Sequence, residues 1–340
     1  MLDFLEPFDV IAETQHAMGG TELMKYGLLA RLPAELLAPF HIIVSRCRGI
    51  DPQRIPIFWA HDCAGDPECD HLAHGGHASY RHFVFVSHWQ MQCFIEHYGI
   101  PWEKCSVIEN AIIPASITLA QKQFPSIPIT VPYTPEVSRE PIRLIYHTTP
   151  HRGLELLLPV FDALWKKYPW LVLEVFSSFK LYGWEHKDAM FASVLEGCKQ
   201  HPGVRYHGAV SHEEVLQALQ TAHIFAYPSI WLETSCMSLM EAMSAGCLCV
   251  HPQYGALPET SGGLTHSYPW HPHTQAHAQR FYQVLHQTLQ SLHWLHPQYQ
   301  TTPQGQACLQ AWTLQKHAAD IRFSWQKATA AWTHLLHHLL

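Results

Sequence analysis

The chain has 340 residues, 47% hydrophobic and 12% aromatic, enough to bury one or two substantial cores and long enough for two domains. Twenty-eight Asp and Glu against 21 Lys and Arg give a formal charge of −7, and no basic block offers a track for a phosphate backbone, which argues against nucleic acid as a partner. The opening MLDFLEPFDVIAE carries acids where a signal peptide needs a basic region, no apolar run is long enough to span a bilayer, and the ten cysteines are scattered, so a soluble cytoplasmic protein with reduced thiols is expected.

Taken in chain order, FDVIAE reads as a first strand close to Met1, followed by the glycine-containing MGGTEL (18–23). RIPIFWA (54–60) and FVFVS (83–87) lack polar alternation and read as strands buried on both faces. RIPIFWA runs directly into HDCAGDPECDHLAHGGH (61–77), which gathers His61, Cys63, Cys69, His71, His74 and His77 among several carboxylates. Zinc sites draw on these residue types, but the tight pairs of zinc knuckles and ribbons are missing. An irregular loop over one side of a cleft is therefore expected here, with neither a metal nor a Cys63–Cys69 disulfide.

The proline-rich FPSIPITVPYTPEVSREP (124–141) reads as a domain boundary. Beyond it, strands IRLIYH (142–147), LVLEVF (171–176), HIFAYP (223–228) and CLCV (247–250) alternate with helical patterns at 153–169, 212–222 and 236–246. Such alternation predicts parallel sheets, hence an α/β protein of two Rossmann-like lobes, 1–138 and 139–322, facing a central cleft. An amphipathic helix with Ser324 as its N-cap closes the chain over 323–340. Trp59, Trp89 and Trp231 sit in apolar patterns and read as core residues, and the 28 histidines read mostly as a compositional habit.

The richest segment is WLETSCMSLMEAMSAGCLCV (231–250). Glu233 falls in the loop after HIFAYP, Ser235 is expected to cap the next helix, and Glu241 lies about two turns into it. The amino-terminal N–H groups of Cys236, Met237 and Ser238 then make an anion site at the carboxyl end of a parallel strand, where a pyrophosphate fits. The two carboxylates can accept hydrogen bonds from sugar hydroxyls. Read alone, the pattern also suits two solvated glutamates near a helix start.

This stretch resembles the E-x7-E signature of the retaining nucleotide-sugar glycosyltransferases of family 4, glycosyl transferases group 1, which have the GT-B fold. MGGTEL, the 83–112 segment ending near Asn110, RGLELLLPVF (152–161) and GALPET (255–260) resemble further landmarks of that family, in order, over roughly residues 10–265. The resemblance implies metal-independent transfer with retention from a UDP- or GDP-linked sugar, a co-substrate rather than a bound cofactor, to an unidentified glycan, lipid-linked or protein acceptor. By the same resemblance Glu241 holds the donor ribose, Glu233 a hydroxyl of the transferred sugar and Arg152 the diphosphate, while Gly19 and Gly20 let backbone approach the phosphate. His61 matches the family's histidine beside the transferred sugar, with Asp62 next to it on the acceptor side.

One position departs from the family. His147 stands where an arginine is frequent, so donor binding is expected to weaken as pH rises through the histidine's pKa, with Thr148 as an alternative hydroxyl donor. Two other readings stay open: a GT-B phosphorylase or sugar-nucleotide epimerase, and a non-catalytic sugar-nucleotide- or zinc-binding protein. Membrane association is possible, although no basic amphipathic surface supports it.

Overall fold

A computed structural model describes residues 19–131 and 140–340. The expected strand FDVIAE, Met18 and the boundary near residue 138 lie outside the described residues. The first sheet has four parallel strands in the order β1 (Phe40–Val44), β2 (Ile55–Ala60), β3 (His82–Phe85), β4 (Cys105–Val107). Successive β2 residues face opposite sides of the sheet. Ile57 and Trp59 enter one apolar cluster with Met24, Leu28 and Trp332, whereas Phe58 and Ala60 enter another with Phe83, Phe85 and Phe94. Burial on both faces is why RIPIFWA carries no polar alternation.

The second sheet is also wholly parallel, with strand order β10 (His266–Pro269), β9 (Leu248–Gln253), β8 (Ile224–Ala226), β5 (Ile142–His147), β6 (Leu171–Phe176), β7 (Val204–Tyr206). Strand order reverses between β5 and β8, and the crevice outside the carboxyl ends of such a pair is the place where doubly wound sheets bind ligands. The loops after these two strands carry Arg152 and Glu233.

The carboxyl-terminal helices join the two halves. The helix Pro303–Arg322 packs on the second, its Trp312 Nε1 donating to the Gly246 carbonyl and its Gln315 Nε2 to that of Cys247, both at 2.8 Å. It breaks at Phe323, and Ser324 caps the next helix, Trp325–Leu339, by accepting from the Lys327 N–H. That helix lies in the first half, with Trp332 edge-on to Trp59 at 4.9 Å. Among the described residues no helix is long and apolar enough to cross a membrane.

Candidate active site

A cleft of about 1,920 Å³ runs between the two sheets and is lined from both sides. Gly19 and the helix Gly20–Leu29 enter it from the first half. Gly19 has an ordinary φ of −75°, so what it needs is space: a Cβ there would stand 2.4 Å from the Tyr182 ring of the opposite half, and one on Gly20 3.1 Å from Met237 Sδ. These glycines therefore admit side chains from across the cleft. His61 directly follows β2, buried with its ring tilted at 4.7 Å from that of Trp59, and burial pushes its imidazole down to about 3, so it is neutral. Asp62 is half-buried beside it, its carboxyl raised above the usual range by burial and then by neighbouring Asp66.

From the second half, Gly153 sets the turn that carries Arg152. Its φ is +121° and a Cβ would meet the Pro228 carbonyl at 2.3 Å, so both conformation and space demand glycine. Arg152 Nη1 donates to Glu233 Oε1 at 2.5 Å, and the Tyr227 hydroxyl donates to the same oxygen. Burial works against the Arg152 charge, but Glu233 beside it, together with Tyr182 and Tyr227, outweighs burial and keeps the guanidinium protonated. In the loop that follows β8, Trp231 stands 45% exposed, edge-on to His151 at 4.6 Å, with Ile230 and Leu232 also exposed. The core role expected for Trp231 is thus incorrect, whereas Trp59 is buried and Trp89 half-buried.

The helix Met237–Ser244 begins one residue later than expected, with Cys236 as N-cap. Ser235 does not cap it: the Ser235 hydroxyl is buried without a partner. The first-turn N–H groups of Met237 and Ser238 have no partner within the helix, as at any helix start, and Ser238 Oγ donates to the His147 carbonyl at 3.1 Å. The Cys236 thiol is pushed well up, by burial first and Glu233 second, so it stays neutral. Glu241 is buried about one turn in, accepting from His212 Nε2 at 2.6 Å, with His147 Nδ1 4.0 Å away. Burial alone raises its carboxyl, but His212 and His147 outweigh this and hold it below the ordinary value.

His147 corrects the expectation of a pH-responsive donor contact. Burial against Phe225 drives its pKa down to about 4, more than the Glu241 carboxylate restores, so it carries no charge near neutrality. Thr148 lines the cleft half-buried beside it. Sequence reasoning missed His212, Tyr182 and Ser45, whose partners lie well away in the chain or in the opposite half, and Tyr227, which sits inside an apolar strand run only six residues from Glu233. Cys63 of the histidine-rich loop is turned aside to the Leu232 carbonyl at 3.4 Å, and Cys69 is buried. Two short 3-10 turns, 67–72 and 76–79, build the rest of that loop. Among the described residues no group of three or more His, Cys, Asp or Glu side chains is placed to hold a metal ion.

Several hydrogen bonds draw the halves together around this site. Thr234 Oγ1 donates to the His61 carbonyl at 2.7 Å and Ser87 Oγ to the Thr234 carbonyl at 2.6 Å. The Glu259 carboxylate accepts from the N–H groups of His88 and Trp89 at 2.8 and 2.9 Å.

Two parallel sheets meeting at a cleft, with a buried glutamate pair at the strand-order reversal, define a GT-B glycosyltransferase fold. Residues 138–285 match the family model described as glycosyl transferases group 1. It is similar to one subunit of the phosphatidylinositol N-acetylglucosaminyltransferase of Homo sapiens, 31% identical over 179 residues, which are 52% of this chain and 33% of the relative. The Arabidopsis thaliana protein of the same name is 27% identical over 176 residues, covering 52% of this chain and 35% of the relative. The chain thus spans about a third of the length of these curated relatives. Among solved structures, a glycosyltransferase from Rickettsia africae superposes with a TM-score of 0.61 at 14% identity, covering 94% of this chain and 82% of the other. A sucrose-phosphate synthase from Thermosynechococcus elongatus gives 0.57 at 13%, covering 93% and 72%.

Proposed function

We propose that this protein transfers a sugar from a nucleotide-diphosphate donor to an acceptor hydroxyl, with retention and without a metal. The observation that carries the reading is the convergence of Arg152, Glu233, Glu241 and the amino end of the helix Met237–Ser244 at the strand-order reversal. In it, the helix N–H groups and Arg152 meet the charge growing on the departing diphosphate, which is electrostatic stabilisation by groups already oriented. Arg152 is suited to this because its planar fork of five donors can serve Glu233 and a phosphate oxygen together. Glu241 takes the ribose and Glu233 a hydroxyl of the sugar; His61, neutral and flanking the cleft, lies on the sugar side. The acceptor hydroxyl attacks from the leaving-group face and the departing phosphate oxygen receives its proton.

The names of the two curated relatives supply the finer choice. We take N-acetylglucosamine, on UDP or GDP, as the transferred sugar and phosphatidylinositol as the acceptor, with other subunits as protein partners. The test is calorimetric titration with UDP, GDP, ADP and their N-acetylglucosamine or hexose conjugates, followed by transfer to phosphatidylinositol vesicles. One nucleotide family should bind the parent and lose at least tenfold in affinity with Glu241→Gln. Absence of nucleotide binding sinks the transferase reading. Release of sugar phosphate in phosphate buffer, or an epimerised donor without acceptor, turns it toward a phosphorylase or an epimerase.

A further inference from the structure

The two oxygens of the Glu241 carboxylate have different surroundings. Oε1 accepts from His212 Nε2 at 2.6 Å, whereas Oε2 lies 4.0 Å from His147 Nδ1, too far for a hydrogen bond, and takes none from the described residues. Glu241, His212 and His147 all line the cleft, with Glu241 buried and His212 mostly so. A carboxylate drawn out of water holds its charge only where donors meet it, and here His212 is the donor that does. Because an ionised carboxylate only accepts, Nε2 is the ring nitrogen that carries the hydrogen.

The imidazole is itself held in place. His212 is the first residue of the helix His212–Thr221, whose start is fastened reciprocally: Ser211 Oγ accepts from the Glu214 N–H at 3.3 Å, and Glu214 Oε2 accepts from the Ser211 N–H at 3.0 Å. Gly208, Ala209 and Val210, just before it, line the same cleft. His212 therefore reaches Glu241 from a capped helix end in the cleft wall, 29 residues away in the chain.

We propose that His212 is a positioning residue for the donor ribose: its Nε2–H, carried by the capped helix start, holds Glu241 Oε1 and so presents Oε2 to a ribose hydroxyl. The inference rests on the transferase reading above, which gives the ribose to Glu241. A contact that only neutralised a buried carboxylate would, when lost, weaken every ligand of the cleft alike. One that aims the carboxylate weakens the ribose contact and leaves the diphosphate, bound by Arg152 and the helix N–H groups, as it was.

The test compares His212→Phe, which keeps a ring of similar size without a donor, with His212→Gln, whose side-chain amide can restore the hydrogen bond. Calorimetric titration gives the affinity for UDP, for 2′,3′-dideoxy-UDP and for inorganic pyrophosphate, with the guanosine pair used if GDP is the nucleotide that binds. The parent is expected to favour the ribonucleotide over its dideoxy analogue by about tenfold, the loss of a hydrogen bond to a charged group. In His212→Phe that ratio falls toward one while pyrophosphate binds as in the parent, and in His212→Gln the ratio recovers. In a Glu241→Gln background His212→Phe takes nothing further from the ratio, as two residues acting through one contact require. A ratio unchanged in His212→Phe, or a loss shared equally with pyrophosphate, overturns the assignment. If no nucleotide binds the parent, the transferase reading fails, and the Glu241 carboxyl then decides for His212, followed by carbon NMR of glutamate-labelled protein and assigned with Glu241→Gln. Titration at a higher pH in His212→Phe, reversed in His212→Gln, sustains His212 as the group that holds the carboxylate, and an unmoved titration removes it.

Discussion

At the scale of single residues, the site is a set of charges each answered by a specific neighbour. Glu233 is answered by Arg152 and Tyr227, Glu241 by His212, and the first-turn N–H groups remain for a ligand. His147, beside Glu241, is a residue whose chemistry burial changes. With its pKa held near 4, its charge is absent throughout the range in which an exposed histidine titrates. Nucleotide affinity between pH 6 and 8 is therefore expected to follow the same profile in the parent and in His147→Gln, by calorimetry at matched ionic strength. A tenfold loss on raising the pH in the parent alone would restore His147 as a charged contact. The types and spacing of Glu233, Glu241 and Arg152 were legible because a helix start, a strand end and a glycine turn fix them locally. Their partners were not: His212 is 29 residues from Glu241 and Arg152 is 81 from Glu233, and no local pattern encodes such a pairing.

At the scale of elements, legibility follows burial on both faces. IRLIYH and LVLEVF form β5 and β6 with the expected limits because every position is apolar or packed. The three-residue strands Cys105–Val107 and Val204–Tyr206 are too short to show a period, and Phe40–Val44 carries His41 within five residues, which breaks its apolar run. Ser235 misled for a different reason. It is the right type for an N-cap, but the chain turns one residue later and buries its hydroxyl. The helix His88–Tyr98 shows capping carried between halves: Ser87 accepts from the Gln90 N–H, and Glu259 takes the N–H groups of His88 and Trp89. A carboxylate at that end also meets the positive pole of the helix. Glu259→Ala should lower stability by about 1–2 kcal/mol, the usual cost of losing an N-terminal cap, and Glu259→Gln by less. Denaturant titration reads both; an unchanged midpoint for Glu259→Ala would show that this contact contributes nothing across the cleft.

At the scale of the whole molecule, the abundance of histidine becomes a property of the fold. His61, His82, His147, His223 and His251 are all buried, and burial is the first cause that lowers each, to about 3 for His61 and about 4 for the other four. Each is held as a neutral ring: His223 Nδ1 accepts from the Arg143 N–H, and His251 bridges the Pro252 carbonyl and Thr265 Oγ1. In the unfolded chain these rings take up protons near pH 6.5, and in the folded protein only two or more units lower. Between those values unfolding binds protons, so the stability is fully present above about 6.5 and is lost as the pH falls. One proton contributes about 1.4 kcal/mol per pH unit, so five together remove as much as about 7 kcal/mol for each unit below 6.5. A domain-scale stability of roughly 5–15 kcal/mol does not survive much of that. The protein should therefore unfold cooperatively between about pH 5 and 6, above the range in which carboxylates usually titrate, when followed by far-ultraviolet circular dichroism at low protein concentration. A variant distinguishes this from carboxylate-driven acid unfolding: replacing the buried imidazole of His251 by glutamine removes one titrating group and makes the transition less steep. A chain that remains folded at pH 4 would mean that these histidines charge in place, and that the interior around them opens to water without losing the fold.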